Sequence, residues 1–196
     1  MGNCIKLAIT GGIGSGKSVV SRILATMGVP VYDCDSKAKE IMVADSSIVK
    51  GLKRMFGESC YNSDGTLDKS FLASRIFTDD NNIERVNALV HPAVKKDFEN
   101  WAATMDCPIV AVESAVLYES GLIDSVDKVL VVWTDKETAI RRTMQRSGMS
   151  RNQVLSRMQK QVSADELLLL TDFSIYNGGD NPLLPEILEL LDELRA

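Results

Sequence analysis

The chain is poor in metal-binding side chains: His91 is its one histidine, and its four cysteines, Cys4, Cys34, Cys60 and Cys107, stand far apart with no Cys-x-x-Cys pair. Zinc sites need such ligands clustered, and disulfide frameworks need a cysteine-dense chain, so neither organises this protein and reduced thiols are expected. No run approaches the ~20 apolar residues that cross a bilayer. Lys6 is followed by only Leu7-Ala8-Ile9 before a glycine run, too little for the hydrophobic region of a signal peptide. An excess of positive charge is also missing. Lys and Arg number 22 against 27 Asp and Glu, a net charge of -5, which argues against a nucleic-acid partner. These absences predict a soluble cytoplasmic protein with neither nucleic acid nor membrane as partner. A monomer is expected, with an oligomer left open.

The composition that remains, 45% hydrophobic and 25% charged over 196 residues, suits one packed α/β domain with a small insertion. Short apolar runs alternate with longer amphipathic stretches, the pattern of βαβ units on a parallel sheet. Strands are predicted over 5–10, 29–32, 109–112, 128–133 and 173–176. Several are apolar at nearly every position, as strands buried on both faces should be. A helix is predicted over 18–27, ended by Gly28, and another over 185–194. Residues 36–103 carry helical signals, an Asn62-Ser63-Asp64-Gly65 turn and no convincing strand, so they are read as a helical insertion.

Gly11-Gly12-Ile13-Gly14-Ser15-Gly16-Lys17-Ser18 matches G-x-x-x-x-G-K-[ST] in full, between a buried strand and an amphipathic helix. Glycines there let successive N–H groups point inward as an anion nest at a helix N-terminus. Lys17 is expected to reach the β- and γ-phosphates and the Ser18 hydroxyl to ligate Mg²⁺. The dinucleotide fingerprint fails because Lys17 stands where its last glycine should be. The GTPase motifs Asp-x-x-Gly and Asn-Lys-x-Asp are absent. Short length and a helical insertion favour a small-molecule kinase.

Asp33 and Asp35 follow the second predicted strand, at the sheet edge that faces ligands in open α/β folds. A carboxylate there can take the proton of an attacking hydroxyl. Asp35 serves equally as an N-cap for a helix over 36–43. Glu113 ends the third strand, where a metal-shell acid would stand, although a strand end exposed to solvent explains it too. Residues 141–160 hold Arg141, Arg142, Arg146, Arg151, Arg157 and Lys160 without one acid. Lacking acids for pairing within a helix, and with Gly148 and Ser150 as a hinge, this arm reads as a lid whose arginines close over the triphosphate. His91 precedes a helix predicted to start near Pro92 and reads as a cap or a packed side chain. Trp101 and Trp133 read as core. The acceptor stays open on these grounds: another small-metabolite or nucleotide kinase, or a non-catalytic ATP-binding regulator, shares the features.

The order of further motifs is more specific. The run from Thr10 to Ser18, then Gly28-Val29-Pro30-Val31-Tyr32-Asp33-Cys34-Asp35, resembles the start of the dephospho-CoA kinase family. The likeness continues through Asp64-Gly65-x-Leu67-Asp68, Ile76-Phe77, His91-Pro92-Ala93-Val94 and Leu117-Tyr118-Glu119-x-Gly121-Leu122. It ends with Arg142-x-x-x-Arg146, Arg157-x-x-x-Gln161 and Asn177-Gly178, and so spans nearly the whole chain. It implies transfer of the ATP γ-phosphate, with Mg²⁺, to the ribose 3′-hydroxyl of dephospho-CoA, giving coenzyme A and ADP, the last step of coenzyme A synthesis. It also implies a P-loop kinase fold: a five-stranded parallel sheet flanked by helices (core about 1–35, 105–140 and 170–196). A helical substrate domain (about 36–104) and a lid (about 141–168) complete it. By position, Gly12, Gly14, Ser15, Gly16, Lys17, Ser18 and Val19 fall to the ATP phosphates, and Lys17, Asp33 and Arg142 to catalysis, with Asp33 as base. Asp35 and His91 fall on the acceptor side, Arg146 in the lid, Asn177 and Gly178 near adenine, and Ser18 and Glu113 on the metal. Val19 stands where the family usually has Thr, and Glu113 where it often has Asp.

Overall fold

Five strands, β1 (Ile5–Thr10), β2 (Val31–Asp33), β3 (Ile109–Glu113), β4 (Lys128–Trp133) and β5 (Phe173–Tyr176), form one sheet in the order β2-β3-β1-β4-β5. Every pairing is parallel. The computed structural model describes residues 4–76 and 79–195. Phe77, one of the family-like positions, lies outside them. Leu7, Ala8 and Ile9 on β1, Val110 to Val112 on β3 and Leu130 to Val132 on β4 are all inaccessible to solvent. That is why these runs are apolar without alternation. Strand β2 begins at Val31, two residues later than expected. Val29 N–H instead turns back to Leu24 O at 3.0 Å, closing α1 (Lys17–Thr26).

The chain divides into two compact units. One runs up to Asp33 and resumes at Ala102; the other is Cys34–Trp101. In the first, α1 and α9 (Leu183–Arg195) lay Val20, Leu24, Ile187, Leu190, Leu191 and Leu194 against the sheet in one core. Three further helices, α6 (Lys136–Ser147), α7 (Arg151–Met158) and α8 (Ala164–Leu169), follow β4. Gly148 ends α6 in the left-handed region, φ 68, and Ser150 opens α7 with a reciprocal capping box to Gln153, as the hinge reading requires. The arm is therefore two helices. Its Arg151 is paired with Glu137, from the first turn of α6, through two bonds of 2.8 and 2.6 Å. The run itself holds no acid; the fold brings one in from before it.

The second unit holds α2 (Cys34–Ala44), α3 (Ser46–Phe56), α4 (Lys69–Ile76) and α5 (Asp80–Ala103). Asp45 caps α3 by accepting from Ser47 and Ile48 N–H. Among the described residues of this unit the only β pairing is an isolated Tyr61–Leu67 bridge, closed by the expected turn at Asn62–Gly65. Helix α5 corrects one expectation: no helix starts near Pro92, which lies inside it. Val86, Val90, Val94 and Phe98 are buried at strict four-residue spacing on both sides of the proline, while Pro92 and Ala88 face solvent. Water can therefore serve the carbonyl that the proline leaves without a donor, and packing carries the helix through. Asp35 is corrected likewise. Helix α2 starts at Cys34, so Asp35 stands in its first turn rather than at its N-cap, where a carboxylate complements the helix dipole. Trp101 and Trp133 are half-buried instead of core. Among the described residues no helix is long and apolar enough to cross a membrane.

Candidate active site

The glycine run forms the β1–α1 junction. Thr10 ends the buried strand, and Gly16 N-caps α1 with φ 94, so the helix begins where the loop stops and its first N–H groups face the loop's cavity. Gly14 has φ 77, and a Cβ there would overlap Ala139 O and lie 2.6 Å from Thr143 Oγ1 of α6. Glycine is required at that position both for the backbone and for the close approach of α6. Lys17 folds over the loop, its Nζ donating to Gly11 O at 2.6 Å and Gly12 O at 3.1 Å. The cation is thus held on the concave backbone where anionic oxygens would compete for it. Ser18 and Val19 are exposed at the start of α1.

The end of β5 braces this loop. Asn177 Nδ2 donates to Ser15 O at 2.9 Å, and Arg142 Nη1 from α6 donates to Asn177 O at 2.8 Å. Asn177 N–H is itself held by Trp133 O at 2.8 Å. Four sequence-predicted residues, Ser15, Gly16, Arg142 and Asn177, therefore meet in one cluster. Arg146, one turn further along α6, is exposed. Gly178 is buried, and a Cβ there would overlap the Tyr176 hydroxyl and meet Thr134 Oγ1 at 2.9 Å. Trp133 and Tyr176 pack with ring centroids 4.6 Å apart. Beside the loop lies a cavity of about 510 Å³, walled by Trp133, Thr134, Ala139, Met158 and Leu167. Among the described residues, the buried hydroxyls of Ser15 and Thr134 on its wall have no hydrogen-bond partner. Buried hydroxyls seldom stay unpaired, so these two mark a place that a polar ligand would complete.

Two carboxylates stand side by side at the ends of neighbouring strands. Asp33 on β2 and Glu113 on β3 are register partners, which sets their side chains on the same face, and Glu113 is also partnered with Ile9 of β1. Hard carboxylate and hydroxyl oxygens are the donors Mg²⁺ takes, and it commonly uses only one or two carboxylates together with substrate phosphates. The donor set of Glu113, Asp33 and Ser18 fits that habit. Among the described residues no group of three or more His, Cys, Asp or Glu side chains is arranged for a metal. Asp35, exposed on α2, and His91, half-buried on α5, belong to the helical unit.

The Asp135 carboxylate, which caps α6 by accepting Thr138 N–H at 2.8 Å, is held below the usual range chiefly by that bond. Sequence reasoning passed over Thr134, Trp133 and Gln161 as site residues. Gln161 Oε1 accepts from Ile13 N–H of the loop at 2.9 Å. A neutral amide leaves no trace in charge or hydropathy patterns, and its place in the Arg157-x-x-x-Gln161 motif was the one available signal.

The dephospho-CoA kinase family model matches residues 5–182. A dephospho-CoA kinase of Bacteroides fragilis is 42% identical over 188 residues, covering 95% of this chain and 91% of the relative. A crystal structure of a Thermus thermophilus protein superposes with a TM-score of 0.81 at 32% identity, covering 98% of this chain and 97% of that one. Dephospho-CoA kinase from Campylobacter jejuni, at 22% identity and a TM-score of 0.73 over 96% of each chain, shares the fold.

Proposed function

The chain belongs to the dephospho-CoA kinase family, and from that premise we propose how its own residues carry the reaction. It transfers a phosphoryl group from ATP to dephospho-CoA in coenzyme A biosynthesis; the acceptor is the ribose 3′-hydroxyl. The observation that carries the assignment of roles is the register pairing of Asp33 with Glu113 at the same strand edge as a complete phosphate loop. Phosphoryl transfer asks chiefly for positioning and charge neutralisation. The backbone from Gly12 through Val19 cradles the phosphates, and Lys17 leaves the Gly11 and Gly12 carbonyls for the β- and γ-oxygens. Asp33 orients the 3′-hydroxyl and accepts its proton as the oxygen attacks phosphorus. Arg142, with Arg146 further out, stabilises charge on the transferring group while the arm from about 141 to 168 closes and excludes water. Asn177 and Gly178 border the adenine, a reading supported by the tight packing of Gly178 on Tyr176 and Thr134.

Ser18 and Glu113 would hold Mg²⁺, which when bound neutralises phosphate charge. The helical unit, with Asp35 and His91, carries the acceptor. The enzyme acts as a cytoplasmic monomer, a reading consistent with its four free cysteines. The test is ADP release from the purified protein with Mg·ATP, with and without dephospho-CoA, and identification of coenzyme A by mass. Stimulation with coenzyme A formed supports the assignment; ATP turnover indifferent to dephospho-CoA overturns it.

A further inference from the structure

Gln161 joins the arginine arm to the phosphate loop by a hydrogen bond. It follows α7 in a tight turn, its own N–H donating to Met158 O at 3.2 Å, and its Oε1 takes Ile13 N–H at 2.9 Å. That bond also sets the flip of the carboxamide: an N–H can donate only to the oxygen, so the Nε2 hydrogens point away from Ile13. Gln161 lines the large cavity on the β4 side of the loop and a small one beside Ala115, Leu117 and Tyr118. Its side chain thus stands between the two. The other end of α7 is tied down by the Arg151–Glu137 pair, and the chain beyond α8 by Tyr118 donating to Leu170 O at 3.0 Å. Together with Arg142 donating to Asn177 O, these bonds fix the arm to the sheet domain. Of these bonds, the Gln161 tie is the one that ends on the loop itself.

We infer that Gln161 is a positioning residue that couples the arm to the loop: it holds the leading half, Gly12–Gly14, in the shape that receives a triphosphate and gives arm and loop one joint setting. The inference rests on the kinase reading above. A neutral acceptor suits the task, because it satisfies Ile13 N–H without placing a negative charge beside the phosphates. Without it, Ile13 N–H loses its partner at a part-buried position, and the arm can move without moving the loop. The consequences are weaker ATP capture and more phosphate lost to water for each transfer.

The test compares Gln161→Met, which keeps length and removes the acceptor, with Gln161→Glu, which keeps an acceptor oxygen. Hydrogen exchange at the Ile13 amide of the nucleotide-free protein reads the tie without reference to activity. Gln161→Met is expected to speed that exchange about tenfold with the thermal midpoint held, as loss of one hydrogen bond allows. It should also raise KM for ATP about fivefold and the ratio of ATP hydrolysed to coenzyme A formed, with kcat changed less. Gln161→Glu should keep the slow exchange, because an acceptor oxygen remains, while its charge beside the phosphates raises KM for ATP. Unchanged exchange or an unchanged ratio in Gln161→Met overturns the inference, as does a Gln161→Glu protein whose Ile13 amide exchanges as fast as that of Gln161→Met. Failure of the kinase reading would show separately, as a wild-type protein that makes no coenzyme A while Ile13 still responds to the substitution.

Discussion

Asn177 and Gly16 share one space: the Asn177 carboxamide occupies the position where a Cβ on Gly16 would stand, and its Nδ2 donates to the carbonyl of Ser15 just before it. The loop is shaped from outside by β5 as much as by its own glycines. Gly16→Ala should therefore both strain a left-handed backbone, about 1–2 kcal/mol by itself, and displace the Asn177 brace. Denaturant unfolding should show a loss beyond that figure, with weakened ATP binding. Gly12, where an added Cβ meets nothing within 4 Å, is the control: Gly12→Ala should leave stability within about 0.5 kcal/mol of wild type.

Lys17→Ala removes the cation that now rests on Gly11 and Gly12. Turnover should fall on the order of 100-fold or more while circular dichroism stays native. Near-wild-type turnover would remove Lys17 from the mechanism.

Asp33→Asn keeps shape and removes the carboxylate proposed as the proton acceptor. Steady-state kinetics should show kcat reduced by about 100-fold or more with KM for ATP little changed. An effect confined to KM for dephospho-CoA would make Asp33 a binding group instead.

Glu113→Gln should raise the Mg²⁺ concentration needed for half-maximal rate, since a neutral amide is a weaker ligand for a hard cation. A magnesium titration of the two proteins decides it; identical curves would place Glu113 outside the metal shell.

In the helical unit, the Tyr61 phenol donates to Met42 O at 2.5 Å, and its pKa is pushed up to about 12, first by burial and then by neighbouring Cys60. Because the folded value lies above the usual 10, the fold favours the neutral phenol. Its contribution is whole below pH 10 and is lost as pH rises toward 12. The urea midpoint of wild type should fall over that range more steeply than that of Tyr61→Phe. Parallel curves would show that Tyr61 does not carry the effect.

The sheet was legible because its strands are read by burial alone: the runs over 5–10, 128–133 and 173–176 coincide with β1, β4 and β5. The phosphate loop was legible because its glycines and Lys17 are tied to one chemistry. Helix α5 was not, since a proline signals a break locally and only the buried Val86–Val90–Val94–Phe98 row shows why the helix continues. The Arg151–Glu137 pair and the Gln161 tie were hidden for a related reason. Both join residues whose meeting depends on how helices turn at Gly148 and after Met158, which no window of sequence encodes. Asp33 could be placed at a strand end from sequence, but its partnership with Glu113 exists only once β3 has paired with β2.

The strand order has a consequence for how the protein is made. Strands β1 and β2 are consecutive in the chain yet never touch; β3 lies between them, and the helical unit must emerge from the ribosome before β3 does. The loop at Gly11–Ser18 is synthesised well before what shapes it: Ala139, Thr143, Gln161 and Asn177 all lie beyond β4. A nascent chain thus carries the full phosphate-loop motif long before the residues that brace it, and the loop reaches its final shape only once β5 has been added.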